Sequence, residues 1–230
     1  WRDTMLEITG TGVYSLQKAF LVDWYFVDRN LISNRKYYPR PESTTGNELL
    51  LQVVTSGPVT PYPEIMQGFL RMIIGAKRYI YIETPYFLPT ESVLLALKTA
   101  ASGGVDVRIL VPMRSDARLV EWAGRSYLRE AVEAGVTVAF YKAGFLHSKV
   151  IVCDDAICSC GSTNVDFRSF ENNFEANVFI YDSDVAVTMR RMFEDDQRQS
   201  VLFTDIQQRV NPSFVKRLAE SIVRLLSPLM

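Results

Sequence analysis

The chain predicts an α/β fold, a mixed, largely parallel β-sheet flanked by helices. Three observations carry this. Short apolar runs at 79–82, 105–111 and 136–141 alternate with amphipathic stretches of helical length, which is the rhythm of βαβ units. Beyond Phe145 the runs at 150–152, 157–160 and 174–181 follow one another too closely for crossover helices, so hairpin-like strands join the parallel ones. At 230 residues and 48% hydrophobic, the chain can bury one substantial core, or one and a half.

In chain order, residues 1–10 alternate loosely around Met5 and Ile8 and read as the end of a strand. Gly10-Thr11-Gly12 opens a helix in which Val13, Leu16, Phe20 and Trp24 recur at helical spacing, a stripe that predicts core packing. Pro39, Pro41, Ser43, Thr44, Thr45 and Gly46 give 29–47 a linker composition. That divides the chain into 1–45, a tail helix plus linker, and 46–230, the main domain. A β-rich run at 49–55 closes at Ser56-Gly57-Pro58. Pro63 then starts a helix carrying Ile65, Met66, Phe69, Leu70, Ile73 and Ile74 on one face. The strand at 79–82 leads into a loop at 83–89. Thr90 caps a helix that runs to about residue 101 and stops at Gly103-Gly104. After the strand at 105–111 come a loop at 112–115, a helix over 116–134 ended by Gly135, and the strand at 136–141. Ser183 or Asp184 caps the next helix, with Val187, Met192 and Phe193. The last helix, from about Pro212, sets Phe214, Val215, Leu218, Ile222, Leu225 and Leu226 against Lys216, Arg217 and Arg224. Core packing is the default for such a face, and a basic amphipathic helix also suits an anionic membrane surface.

Composition narrows the function. A net charge of −1 lacks the basic excess of nucleic-acid binders, so no nucleic acid is expected. The three cysteines, Cys153, Cys158 and Cys160, are odd in number and crowded, which offers neither a disulfide framework nor zinc-finger spacing. They read as small buried hydrophobes. No apolar run of about 18 residues is present, and no signal peptide.

The chemistry gathers between Phe145 and Asn177. His147 is the single histidine, and Lys149, two residues on, shares its face of an extended chain. A lysine that neutralises phosphate oxygens beside an imidazole that titrates near neutrality suits a phosphoryl group. Ser162 and Asn164 can donate to the same oxygens. Asp154 lies at an odd offset from His147, so it reads as a structural partner at the strand end. Glu175 and Asn177 share one face of the last strand, and a carboxylate there could hold an imidazole N–H. Ligands of open α/β sheets sit at the carboxyl ends of the strands, which makes the loops 83–89 and 112–116 pocket walls. Tyr86 would line the groove or simply pack within its loop, and Arg168 would supply charge for an anionic ligand.

His147-x-Lys149-x4-Asp154 followed by Gly161-Ser162-x-Asn164 resembles the HKD motif of the phospholipase D superfamily. Glu83-Thr-Pro-Tyr-Phe-Leu-Pro89, Leu146-His-Ser-Lys149, Asn164-Val-Asp-Phe-Arg-Ser169 and Arg224-Leu-Leu-Ser-Pro-Leu229 are similar to bacterial cardiolipin synthases. The resemblance implies a phospholipase D-like fold and a phosphatidyltransferase that joins two phosphatidylglycerols into cardiolipin through a phosphohistidine. It implies no metal and no organic cofactor. Family members carry two HKD motifs, in one chain or across a dimer, and this chain holds one. Trp1-Arg-Asp-Thr4 resembles the stretch that follows the first motif. The expectation is therefore one repeat of a two-repeat enzyme, the C-terminal catalytic half. Its partners would be an anionic phospholipid, the membrane surface, and the missing half or a second copy. Such an enzyme would sit peripherally on the cytoplasmic side of a bacterial inner membrane. The alternatives are a single-motif phosphodiesterase, nuclease or phospholipase D that works as a homodimer, and an inactive isolated half.

Overall fold

The computed structural model describes residues 1–38, 48–210 and 214–227. In chain order its helices and strands are α1 (Val13–Asp28), β1 (Leu50–Ser56), α2 (Glu64–Gly75), β2 (Tyr79–Glu83), β3 (Phe87–Leu88), α3 (Glu91–Ser102), β4 (Asp106–Pro112), α4 (Arg118–Glu133) and β5 (Thr137–Tyr141). There follow β6 (Val150–Cys153), β7 (Ile157–Gly161), β8 (Val165–Asp166), β9 (Glu175–Tyr181), α5 (Ser183–Arg198), β10 (Ser200–Leu202), α6 (Phe203–Val210) and α7 (Phe214–Arg224).

Strands that are apolar on both faces need cover on both, and they take the middle of the sheet. All five residues of β2 are buried. Ile80 and Ile82 enter one cluster with Phe69 of α2, Leu97 of α3 and Leu128 of α4. Tyr79 and Tyr81 enter a second cluster with Met189 and Phe193 of α5. The sheet order is β1-β9-β7-β6-β2-β4-β5-β10. It is mixed, as expected, but the parallel part is narrower than the rhythm of the sequence suggests. Parallel pairing joins β2 to β4 and β4 to β5, where α3 and α4 provide the crossovers. The chain then returns without a helix, so β6 pairs antiparallel with β2, and the hairpins that follow continue that sense through β7, β9 and β1.

Glycine signals ended the helices where expected. Gly104 and Gly135 have φ of +90° and +97°, a region open to glycine without strain. Other expectations need correcting. Thr90 stands at the N-cap of α3, yet its hydroxyl turns to Met66 Sδ and Ser92 instead of capping. Asp182, not Ser183 or Asp184, caps α5 by accepting from the Val185 amide at 2.9 Å. The stripe on α1 does not reach a core: the helix buries no residue fully, and Trp24 is 43% exposed. Leu16 packs on the second cluster, but a periodic stripe specifies a face and not what covers it. Residues 1–10 form no complete strand and make one parallel bridge, Arg2 to Leu146. The short strands β3, β8 and β10 had no readable signal. Residues 39–47 of the linker expected at 29–47, and the helix start at Pro212, lie outside the described residues, while Arg35–Tyr37 within that linker form a short 3-10 turn. In α7, Arg224 is turned inward, 2.7 Å from Glu130 and over the Tyr127 ring. Ile222, Leu225 and Leu226 stay exposed.

Asp154 lies at the end of β6 remote from His147. Its carboxylate accepts from the backbone amides of Lys77, Arg78 and Tyr79 at 2.7, 2.9 and 2.8 Å, which fastens the start of β2 to the β6–β7 turn. Asp154 and Asp155 both have φ of +55° and turn the chain from Cys153 to Ala156, a conformation that aspartate tolerates better than most residues. Partial burial opposes ionisation, but the three amides hold the Asp154 carboxyl below its ordinary value. Its contribution is therefore complete at neutral pH and is lost as pH falls through that depressed value. Asp154→Ala should lower stability by about 2–4 kcal/mol in urea unfolding at neutral pH. Asp154→Asn should lose less, and equal stability of all three proteins would refute the role.

Candidate active site

The strand senses bring the chemistry to one edge of the sheet. The carboxyl ends of β2, β4, β5 and β7 lie there, beside the amino ends of β6 and β9. Residues 146–150 enter β6 in extended form. Leu146, Ser148 and Val150 turn inward, while His147 and Lys149 emerge together on the other side, as the period of two requires.

His147 Nδ1 is 2.9 Å from Asp3 Oδ2. Two backbone bonds place that carboxylate: Arg2 N donates to Phe145 O at 2.9 Å, and His147 N donates to Arg2 O at 2.8 Å. The Trp1 ring lies 4.6 Å from the imidazole and 5.2 Å from the Phe145 ring. Burial works the other way, yet hydrogen bonds from His147, the Thr4 amide and the Trp1 indole hold the Asp3 carboxyl below its ordinary value. A carboxylate at Nδ1 makes that nitrogen the donor and leaves Nε2 for a substrate.

The sequence reading placed Glu175 in this orienting role, and here the structure differs. Glu175 accepts from the Ser162 hydroxyl and from Asn173 Nδ2 at 3.2 Å. The register explains it. Gly161 pairs with Asn177, so Ser162 falls opposite Ala176 and beside Glu175. His147 enters the sheet on β6, two strands from β9 and thus roughly 9–10 Å across. Asp3 was missed because 144 residues separate it from His147 and no local pattern links them.

The other candidate residues have partners of their own. Lys149 is half-buried and donates through Nζ to His147 O at 2.6 Å. Burial lowers its pKa even though Asp3, Glu175 and Asp166 all favour its charge. Asn164 donates to Ser169 Oγ at 3.2 Å, and its Oδ1 is buried without a partner. Asp166 accepts from the Ser169 amide at 2.7 Å and so caps the turn Arg168–Asn172. Arg168 is exposed at the start of that turn. Tyr86 donates to both carboxylate oxygens of Asp116, at 2.8 and 2.9 Å, which ties the loop 83–89 to the loop 112–116. Those are the two loops expected as walls. Gly161 has to be glycine: a Cβ would stand 2.3 Å from Ala176 O and from Asn177 Oδ1. Asn177 is buried and fastens the next loop by accepting from the Thr163 amide at 3.2 Å. A groove of about 310 Å³, lined by Lys18, Val22, Val59 and Phe174, opens beside Glu175. The cysteines are all buried and free. Burial pushes Cys158 up to about 12 and Cys160 up to about 11, values that suit packing and not nucleophilic chemistry.

Comparison with known proteins gives this arrangement a context. Residues 69–197, more than half of the chain, match the family described as “Cardiolipin synthase, PLD-like domain”. The whole chain is 40% identical to a cardiolipin synthase of Clostridium perfringens (strain SM101), over 49% of that protein. It is 43% identical to a cardiolipin synthase of Geobacillus kaustophilus, over 46% of that protein. The chain thus spans about half the length of the curated relatives it matches. Among solved structures, Nuc from Salmonella typhimurium, a phospholipase D family member, superposes with a TM-score of 0.58 at 23% identity, covering 68% of this chain and 99% of the other.

Because His147 is the single histidine, its ring nitrogens can be read without ambiguity. ¹⁵N NMR of the neutral side chain should show Nδ1 protonated and Nε2 bare, and Asp3→Ala should remove that preference. A ring protonated at Nε2 in the unaltered protein would contradict the geometry.

Proposed function

This chain belongs to the cardiolipin synthase family of phospholipase D-like proteins, and from that premise we propose that it supplies one half-site of a phosphatidyltransferase. In this reading two phosphatidylglycerols give cardiolipin and glycerol. The second histidine comes from the other half of a longer protein. The observation that supports it most directly is the His147–Asp3 pair: an imidazole oriented by a carboxylate, next to a half-buried lysine, in a chain with no second histidine.

The chemistry divides into two steps. The histidine of the other half attacks phosphorus of the first phosphatidylglycerol, and a phosphohistidine forms as the bond to the glycerol oxygen breaks. His147 gives its Nε2 proton to that leaving oxygen, and Asp3 stabilises the imidazolium before transfer. In the second step His147 takes the proton of a hydroxyl on the second phosphatidylglycerol. That oxygen attacks phosphorus and releases the first histidine. Lys149, Asn164 and Ser162 offset the charge on the equatorial oxygens. Asp154 only holds the strand. Glu175, already bonded to Ser162, would orient the histidine of the other half as Asp3 orients His147. Arg168 and Tyr86 would face the headgroup.

The substrate is a lipid, so the half-site has to reach a bilayer surface, which we place on the cytoplasmic side of a bacterial inner membrane. No described helix is long and apolar enough to cross a membrane, in keeping with peripheral contact by this part of the protein. The test is turnover of phosphatidylglycerol vesicles by the protein with the residues that precede Trp1. Cardiolipin and glycerol should appear in equal amounts. His147→Ala should cost at least about 10³-fold in kcat, and Lys149→Ala about 10²–10³-fold. Wild-type rates from His147→Ala would end the reading. Phosphatidic acid in place of cardiolipin would make water the acceptor.

A further inference from the structure

Beneath the His147–Lys149 segment lie two carboxyl groups that the two-step chemistry leaves unused. Glu83, the last residue of β2, is 3% exposed, and Asp196 of α5 is 4% exposed. Their charges act on each other, and the fully buried Ser148 lies beside Glu83. Glu83 Oε1 is buried without a hydrogen-bond partner. The charge facing both comes from one cation, Arg2, whose Nη2 is 2.8 Å from Asp196 Oδ2. Beyond it the surroundings are neutral or weakly acidic: Cys160 faces Glu83, and Tyr141 faces Arg2.

Two buried carboxylates against one guanidinium leave an uncompensated charge, which a dry interior does not tolerate. One proton shared between them makes the cluster neutral. Asp196 holds the guanidinium, so the proton belongs on Glu83, which then donates to Asp196. Arg2 carries this arrangement to the site. Its Nη1 donates to Asp3 O and to Thr4 Oγ1, and Thr4 Oγ1 in turn is 2.7 Å from Ser148 Oγ. Its backbone forms the bridge that sets Asp3 against His147.

We propose that Glu83 and Asp196 share one proton, and that this neutral pair is a positioning element which holds Arg2, and through it Asp3, in the geometry that orients His147. Burial agrees with the placement, since it raises the Glu83 carboxyl above its ordinary 4.5 despite the Ser148 hydroxyl and Arg2. The kinetic part rests on the half-site reading above, while the protonation itself does not.

Infrared spectroscopy of this chain at neutral pH should show a protonated carboxylic C=O band that Glu83→Gln removes. An identical spectrum from the two proteins overturns the proposal. If Glu83→Gln does not fold, ¹³C labelling of glutamate carboxyls in the unaltered chain decides: a shifted acid band supports the shared proton, and its absence overturns it. A raised carboxyl pKa means the native state keeps a proton that the unfolded chain loses, so stability falls as pH rises above about 4.5. The melting temperature of Glu83→Gln should therefore gain on the unaltered chain over that range, and parallel curves would count against the proposal. In the turnover assay, kcat of the unaltered protein should fall with rising pH more steeply than that of Glu83→Gln, whose remaining pH dependence is that of the histidines, with KM unchanged in both. Asp196→Asn should lower kcat about tenfold at constant KM. Superposed pH profiles would refute the positioning role even where the infrared band is found.

Discussion

The site depends on one short parallel bridge. Two backbone hydrogen bonds of Arg2, to Phe145 and from His147, bring Asp3 to the imidazole of His147, across 144 positions of sequence. Neither partner would be informative alone. A histidine on a half-exposed strand entry is ordinary, and so is an aspartate near a chain end. Together they define which ring nitrogen is occupied and which remains for chemistry. Everything nearby is arranged so that this bridge stays rigid. The Trp1 ring covers it, Thr4 and Ser148 close its far side, and Arg2 anchors it to the buried end of α5.

The sheet performs the larger part of the positioning. Parallel strands β2, β4 and β5 point their carboxyl ends to one edge, and the antiparallel return of β6 delivers its amino end to the same place. Asp154 secures the opposite end of β6 through three amides of the segment entering β2. The motif thus spans the strand, with His147 and Lys149 at one end and Asp154, bonded to three amides, at the other. Gly161 and Asn177 then bring the following loop close enough for Ser162 and Glu175 to bond.

Where a feature had a local cause, the sequence made it legible. Gly104 and Gly135 marked helix ends, Asp154 read as scaffold from its odd offset, and the core strands announced themselves as apolar runs. The spacing of His147 and Lys149 also placed them together on one side of the chain entering β6. What stayed hidden depends on distant pairing. Strands of two or three residues carry no period to detect. The exposure of Trp24 could not be read, because a helical stripe does not report its partner. Asp3 in place of Glu175, and Glu83 against Asp196, are decided by which strand lies next to which.

The half-site account is tested most directly by separating the halves. This chain, shown to be monomeric by sizing, and the preceding segment, made on its own, are each supplied with phosphatidylglycerol vesicles and then mixed. The account predicts silence from each alone and cardiolipin from the mixture. Sustained turnover by the monomeric chain alone would contradict it.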